Sequence, residues 1–244
     1  MTINLTGNDF KKAMLATLHS SMARPVIRCG QLPDFDDADL AAVRAAFALA
    51  TPCAMGQEWR AELEHDFLPG QVRVGWRLDE LLVFAELTDR DIFSHATGDN
   101  QRMWELGDTF EIFLRPTGQT EYFELHVTPK NHRLQLKITS FEALRRAQTA
   151  EEFGTFFLPV NSFHSRTWVQ PENQKWFVFA AVPARMVCDQ AQLIPGTRWH
   201  FSFSRYDYRR GDAEPVISST SPHPVANFHR QEEWGELTFE NANS

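Results

Sequence analysis

In the stretch MWELGDTFEIFLRP, residues 103–116, a tryptophan and several acids crowd the start of a strand whose residues alternate in character. Phe110, Ile112 and Leu114 point one way and Thr109, Glu111 and Phe113 the other, the period-two signature of a strand with one buried face. In YFELHV, residues 122–127, the apolar set is Phe123, Leu125 and Val127, which leaves Tyr122, Glu124 and His126 opposite. Glu111 and His126 are therefore expected on adjacent antiparallel strands, on one polar face. Such a face is the solvated side of a sandwich sheet or, with an aromatic at its edge, a surface for a ligand. Trp104, just outside the strand, is either a flat surface for the apolar side of such a ligand or a lid over the core.

Other chemistries are poorly served. His95, His132, His164, His200, His223 and His229 lack the i, i+2 or i, i+4 spacing that presents two imidazoles to one metal, so no zinc is expected. Asp89 and Asp91 in LTDRDIF offer oxygen ligands to a structural calcium ion, or equally cap a turn at a strand end. Asp108 and Glu111 share one short segment with opposite strand parities, unlike carboxylates opposed across a catalytic cleft. With no Gly-x-Ser-x-Gly elbow, phosphate loop or dinucleotide fingerprint, the chain is not expected to be an enzyme. Cys29, Cys53 and Cys188 are odd in number and widely spaced, as free thiols are.

The chain has 244 residues, 43% of them hydrophobic and 12% aromatic, enough for a sizeable core. A formal net charge of -8 excludes the basic footprint that nucleic acid or an anionic membrane requires, so neither is an expected partner. A monomer is expected. No apolar run is long enough to span a membrane, and AMLATL near the start is too short for a signal-peptide core. A cytoplasmic location is the default reading, and a secreted or periplasmic one stays open because a leader removed before Met1 would leave the same sequence.

These residues must be positioned by strands. QVRVGWRL and ELLVFAELTD read as a hairpin; DTFEIFLRP, EYFELHVTP and HRLQLKI follow as a three-stranded meander. KWFVFAAVP, RWHFSFSRYDY and EWGELTFE supply further strands, and Trp76, Trp168, Trp176, Trp199 and Trp234 lie within or beside these apolar patterns, at the core or its margins. Helices are expected over GNDFKKAMLATLHSSM, over DDADLAAVRAAFALA starting from Asp36 or Asp37, and around FEALRRA. The pattern predicts an all-β fold, an antiparallel β-sandwich with short peripheral helices, in which residues 1–24 form a helical extension and residues 25–244 a single domain.

The segments VRVGWRLDELLVFAELTDRDIF, MWELGDTFEIFLRP, YFELHVTPKN and FHRQEEWGELTF together resemble the family 9 carbohydrate-binding modules and their DOMON-like relatives, over roughly residues 25 to 240. The resemblance implies an immunoglobulin-like sandwich that binds a sugar end or short glycan between two aromatic rings. Trp104 takes the place of the first ring and Phe228 that of the second, Glu111 matches the acidic hydroxyl acceptor, and His126 stands where the best-known modules carry arginine. Through the DOMON-like relatives it also implies an alternative, a b-type haem held by methionine and histidine or lysine, for which Met103 and His229 stand beside the two ring positions. A structural or protein-interaction sandwich is the third reading.

Overall fold

The computed structural model describes residues 23–188 and 193–241. The expected helix over residues 7–22 lies outside them. Alternation of apolar and polar side chains resolves into two sheets that face each other. One has the order β1 (Val26–Gly30), β12 (Gly235–Glu240), β10 (Arg198–Asp207), β5 (Thr109–Pro116), β6 (Tyr122–Val127), β7 (Arg133–Ile138), with β11 (Val216–Ser219) also paired to β10. The other runs β2 (Cys53–Ala54), β3 (Gly70–Arg77), β4 (Glu80–Thr88), β9 (Lys175–Pro183), β8 (His164–Gln170). Every pairing between these strands is antiparallel except that of β1 with β12. The expected hairpin is β3–β4, turning at Leu78 with φ 49°, and the expected meander is β5–β6–β7.

Between the sheets lies the main core. It takes Val72, Val74 and Trp76 from β3, Phe110, Ile112 and Leu114 from β5, Phe123, Leu125 and Val127 from β6, and Trp176 and Val178 from β9. The central strands β4 and β9 are buried on both faces, which is why their sequences run apolar almost without interruption. Their second face, with Leu82, Phe84, Phe177 and Phe179, packs under α1 (Leu40–Ala46) and Phe47. Helix α1 begins later than expected: Asp39 is its cap, accepting from Ala41 N at 2.9 Å. Asp36 is spent on the preceding turn, where its carboxylate accepts from Ala38 N, and Asp37 pairs with Arg166.

A third apolar layer covers the far side of the first sheet. Leu134, Leu136 and Ile138 of β7 turn away from the main core into this layer, beside Phe113, Tyr122, Phe228 and Trp234, beneath α2 (Phe141–Arg146) and α3 (Ala150–Gly154). Trp234 is fully buried and donates its indole N–H to the Phe228 carbonyl at 2.8 Å, closing the segment that covers the sheet. The chain can re-enter the sheet after Trp234 only as glycine, since a Cβ at Gly235 would come within 2.6 Å of the Pro25 carbonyl oxygen.

One polar cluster ties the two sheets at their end. Arg205, buried on β10, donates to the Thr88 carbonyl of β4 at 2.6 Å and pairs with Asp89 at 3.1 Å and Asp207 at 3.2 Å. Burial, opposed by Arg205 and reinforced by Asp89, pushes the Asp207 carboxyl up to about 7. An unfolded aspartate ionises near pH 4, about 3.9, so the folded chain keeps a proton on Asp207 that the unfolded chain has lost. The contribution of Asp207 to stability therefore falls as pH rises from about 4 to about 7 and then levels off. In thermal melts across this range, wild type should lose stability relative to Asp207→Asn, whose amide keeps an acceptor for Arg205 and does not titrate; a constant difference would contradict the assignment.

Candidate functional site

Cross-strand register lays out the far face of the first sheet in rows, because residues directly opposite in an antiparallel pair project on the same side. One row is Ser204, Glu111, His126 and Leu134, and the next is Ser202, Phe113, Glu124 and Leu136. Glu111 and His126 are thus direct cross-strand neighbours, and they lie on the face opposite the main core, as the parity of their strands predicts. The face is closed rather than open: Glu111 is 1% exposed, His126 0% and Glu124 5%.

The three polar groups meet at one imidazole nitrogen. His126 Nε2 lies 2.7 Å from Glu124 Oε1 and 3.1 Å from Glu111 Oε1. Burial and then the neighbouring Glu124 charge push the Glu111 carboxyl well above the usual range. Burial works the same way on Glu124 but is outweighed by His229 and by the hydrogen bond from His126, which hold its carboxyl below the usual range. The two carboxyls are thereby pushed in opposite directions, Glu111 up and Glu124 down. Glu111 Oε2, Glu124 Oε2 and His126 Nδ1 are buried without a hydrogen-bond partner.

Aromatic side chains frame this group. Trp104, half-buried on a short 3-10 turn (Met103–Glu105), sets its ring edge-on to His126 with centroids 5.5 Å apart, and Phe153 packs on it at 6.1 Å. The turn is pinned by the Tyr208 hydroxyl, which donates to the Trp104 carbonyl at 2.6 Å. Phe228 sits elsewhere in the layer, 5% exposed, against Trp59, Tyr206 and His223. Trp104 and Phe228 do not touch each other, and Phe228 is a packed ring rather than an open platform.

Several neighbours carried little signal in sequence. Glu124 shows by strand parity, and Tyr206 shares the outward parity of Ser202 and Ser204 on β10. Trp59 lies in a loop with no pattern to place it. His229, which no sequence pattern places beside Glu124, has its Nδ1 2.9 Å from the Tyr122 hydroxyl and 3.9 Å from Glu124 Oε2. Met103 is fully buried in the apolar layer.

Among the described residues, two groups of three side chains bring their ligand atoms within 4.8 Å of one another: Glu111, Glu124 and His126, and Asp89, Asp108 and Asp207. The second group already holds the Arg205 guanidinium. Asp108 also accepts from Phe93 N and Tyr208 N, and Asp91, the other acid of that loop, pairs with Arg210. Among the described residues no helix is long and apolar enough to cross a membrane.

No family model matches the chain. No curated protein matches it either. Solved structures share its fold. A candidate carbohydrate-binding protein from Bacteroides uniformis ATCC 8492 superposes with a TM-score of 0.68 at 16% identity, over 88% of this chain and 99% of that one. A family 9 carbohydrate-binding module from Caldicellulosiruptor kristjanssonii in complex with cellotriose gives 0.60 at 15% identity, over 90% and 96%. A family 9 module from the same organism in complex with glucose gives 0.56 at 15% identity, over 91% and 97%. The chain therefore has the fold of these modules, an all-β sandwich with short helices.

The different burial of the two rings predicts different costs on truncation. Trp104→Ala should lower stability by only about 1–2 kcal/mol, whereas Phe228→Ala should cost about 3–4 kcal/mol, as for a packed core aromatic. Urea unfolding of both variants measures this. A loss at Trp104 equal to or larger than that at Phe228 would mean that the tryptophan, too, closes the core.

Proposed function

We propose that the protein binds carbohydrate without turning it over, taking a sugar end or a short glycan at the far face of β5 and β6. The observation that carries this reading is the half-buried ring of Trp104 set beside the Glu111–His126 pair. A pyranose presents an apolar C–H face that packs on an aromatic ring and a rim of hydroxyls that need fixed donors and acceptors. Glu111 Oε2 and His126 Nδ1, buried without partners, are groups that sugar hydroxyls would satisfy. The fold shared with modules solved in complex with cellotriose and glucose supports the same reading.

In this account Trp104 is the apolar platform, Glu111 and His126 are the polar contacts, and Phe228 bounds the site from the β10 side. His126 in place of an arginine shortens the donor and removes its fixed charge, so hydroxyls have to come close to the sheet to reach it. Because Glu111 and His126 lie beneath the aromatic layer, binding requires Trp104 to swing outward. Its half-buried position and its place on a single turn make that movement less costly than opening the packed side around Phe228 and Trp234.

No nucleophile or base is set against an open cleft here, so the role assigned is recognition alone. Glycan-array screening followed by calorimetry should find a sugar ligand of wild type, and Trp104→Ala should bind it at least about tenfold more weakly, since a stacking loss of about 1.4 kcal/mol is one decade. Full affinity in a folded Trp104→Ala, or hydrolysis of the ligand by wild type, would overturn the proposal.

A further inference from the structure

We infer that Glu111, Glu124 and His126 form a binding site for a first-row divalent metal ion such as zinc. The donor set is mixed nitrogen and oxygen, the kind that such ions prefer over magnesium or calcium, which favour oxygen alone. The spacing fits. Zinc bonds of about 2.0–2.2 Å to imidazole and carboxylate, set at about 90–110°, hold the donor atoms about 3 Å apart. His126 Nε2 already lies 3.1 Å from Glu111 Oε1 and 2.7 Å from Glu124 Oε1, so an ion between them asks for shifts of a few tenths of an ångström.

Two further observations point the same way. Both carboxyls retain a buried oxygen with no hydrogen-bond partner, Glu111 Oε2 and Glu124 Oε2, and the two residues are 1% and 5% exposed. Native structures leave few such groups, and buried carboxylate oxygens with no donor are what a bound cation relieves. In addition, two carboxyls meet at one imidazole nitrogen, with no lysine or arginine paired to either of them among the described residues, unlike the aspartates around Arg205. An ion at this point needs both carboxyls charged and His126 Nε2 without a proton, so a proton held by Glu111 leaves to solvent and one on Nε2 moves to Nδ1 or leaves likewise.

His229 lies at the margin of the buried trio: its side chain is 23% exposed and its Nδ1 is 3.9 Å from Glu124 Oε2, which makes it a candidate fourth ligand. Each of the three ligands comes from the middle of a paired strand, which holds the constellation rigidly. Glu111 and His126 also belong to the proposed sugar site, but metal uptake needs no sugar.

The test uses the full chain stripped with a chelator and then titrated with zinc chloride by calorimetry. Wild type should take up about one equivalent and melt at a higher temperature, and affinity should fall at least about tenfold in both Glu111→Gln and Glu124→Gln, since losing even an outer-shell partner typically costs about 10–100-fold. Cobalt chloride supplies a readout that needs no variant, because a bound ion shows ligand-field absorption in the visible. No stoichiometric zinc uptake by wild type, no cobalt bands, or undiminished zinc affinity in folded Glu111→Gln would each overturn the inference. Array binding with the same stripped protein separates this claim from the preceding one. Zinc uptake without any sugar ligand leaves the metal site standing and sinks the sugar reading, and sugar binding without zinc uptake does the reverse.

Discussion

Placing two carboxyls and an imidazole under an apolar layer is unfavourable unless each relieves the other, and the arrangement of Glu111, Glu124 and His126 depends on that mutual relief. One imidazole nitrogen serves both acids, at 2.7 Å and 3.1 Å, while their surroundings push the Glu111 carboxyl up and hold that of Glu124 down. The register of β5 against β6 follows from the same contact. A one-residue slip of either strand would turn its apolar set, Phe110 or Val127 among it, to the polar side and force Glu111 or His126 into the main core. The alternating apolar set and the polar trio thus specify one pairing from both faces of the strands.

The rest of the molecule keeps this trio dry and in place. The apolar layer built on Phe113, Leu136, Phe228 and Trp234 excludes water from the far face of the sheet, and the turn carrying Trp104 closes it above His126. Arg205 performs a related task at the sandwich end, where a buried guanidinium joins β10 to β4 and binds acids that would otherwise repel one another. Buried ion pairs of this kind fix one arrangement more reliably than they add stability. The two clusters differ in a way that bears on function. The aspartates carry their own internal cation, and the glutamates do not.

Much of the frame was legible because its strands have one face in the main core. The hairpin β3–β4, the meander β5–β7 and the strands β9, β10 and β12 all show in the apolar pattern, and parity alone placed Glu111 and His126 on one face of adjacent strands. The strands missed are those whose pattern is weak or whose partner is remote. β8 is an edge strand with mostly exposed or half-exposed residues, β11 has four residues, and β1 pairs in parallel with β12, some two hundred residues away. Leu134, Leu136 and Ile138 were legible as one face of β7, but nothing local told that this face covers the polar side of β6. The depth of Phe228 was hidden for a similar reason: its neighbours Trp59 and Tyr206 come from distant segments, so a ring expected to stand open is packed. Trp104 shows the opposite case, a ring whose half-exposure follows from its place on a turn outside the strand.

The central claim is that ligand is met at Trp104 and the Glu111–His126 pair, and nuclear magnetic resonance of the side chains tests it most directly. The Trp104 indole N–H and the His126 ring protons, assigned by substitution, are followed while wild type is titrated with glucose, cellotriose and a panel of other sugars. The account predicts that one of these sugars moves both signals together in a saturable way and leaves the buried Trp176 indole still. If a sugar binds while the Trp104 and His126 signals stay fixed, or if none in the panel shifts them, the site lies elsewhere and the account is contradicted.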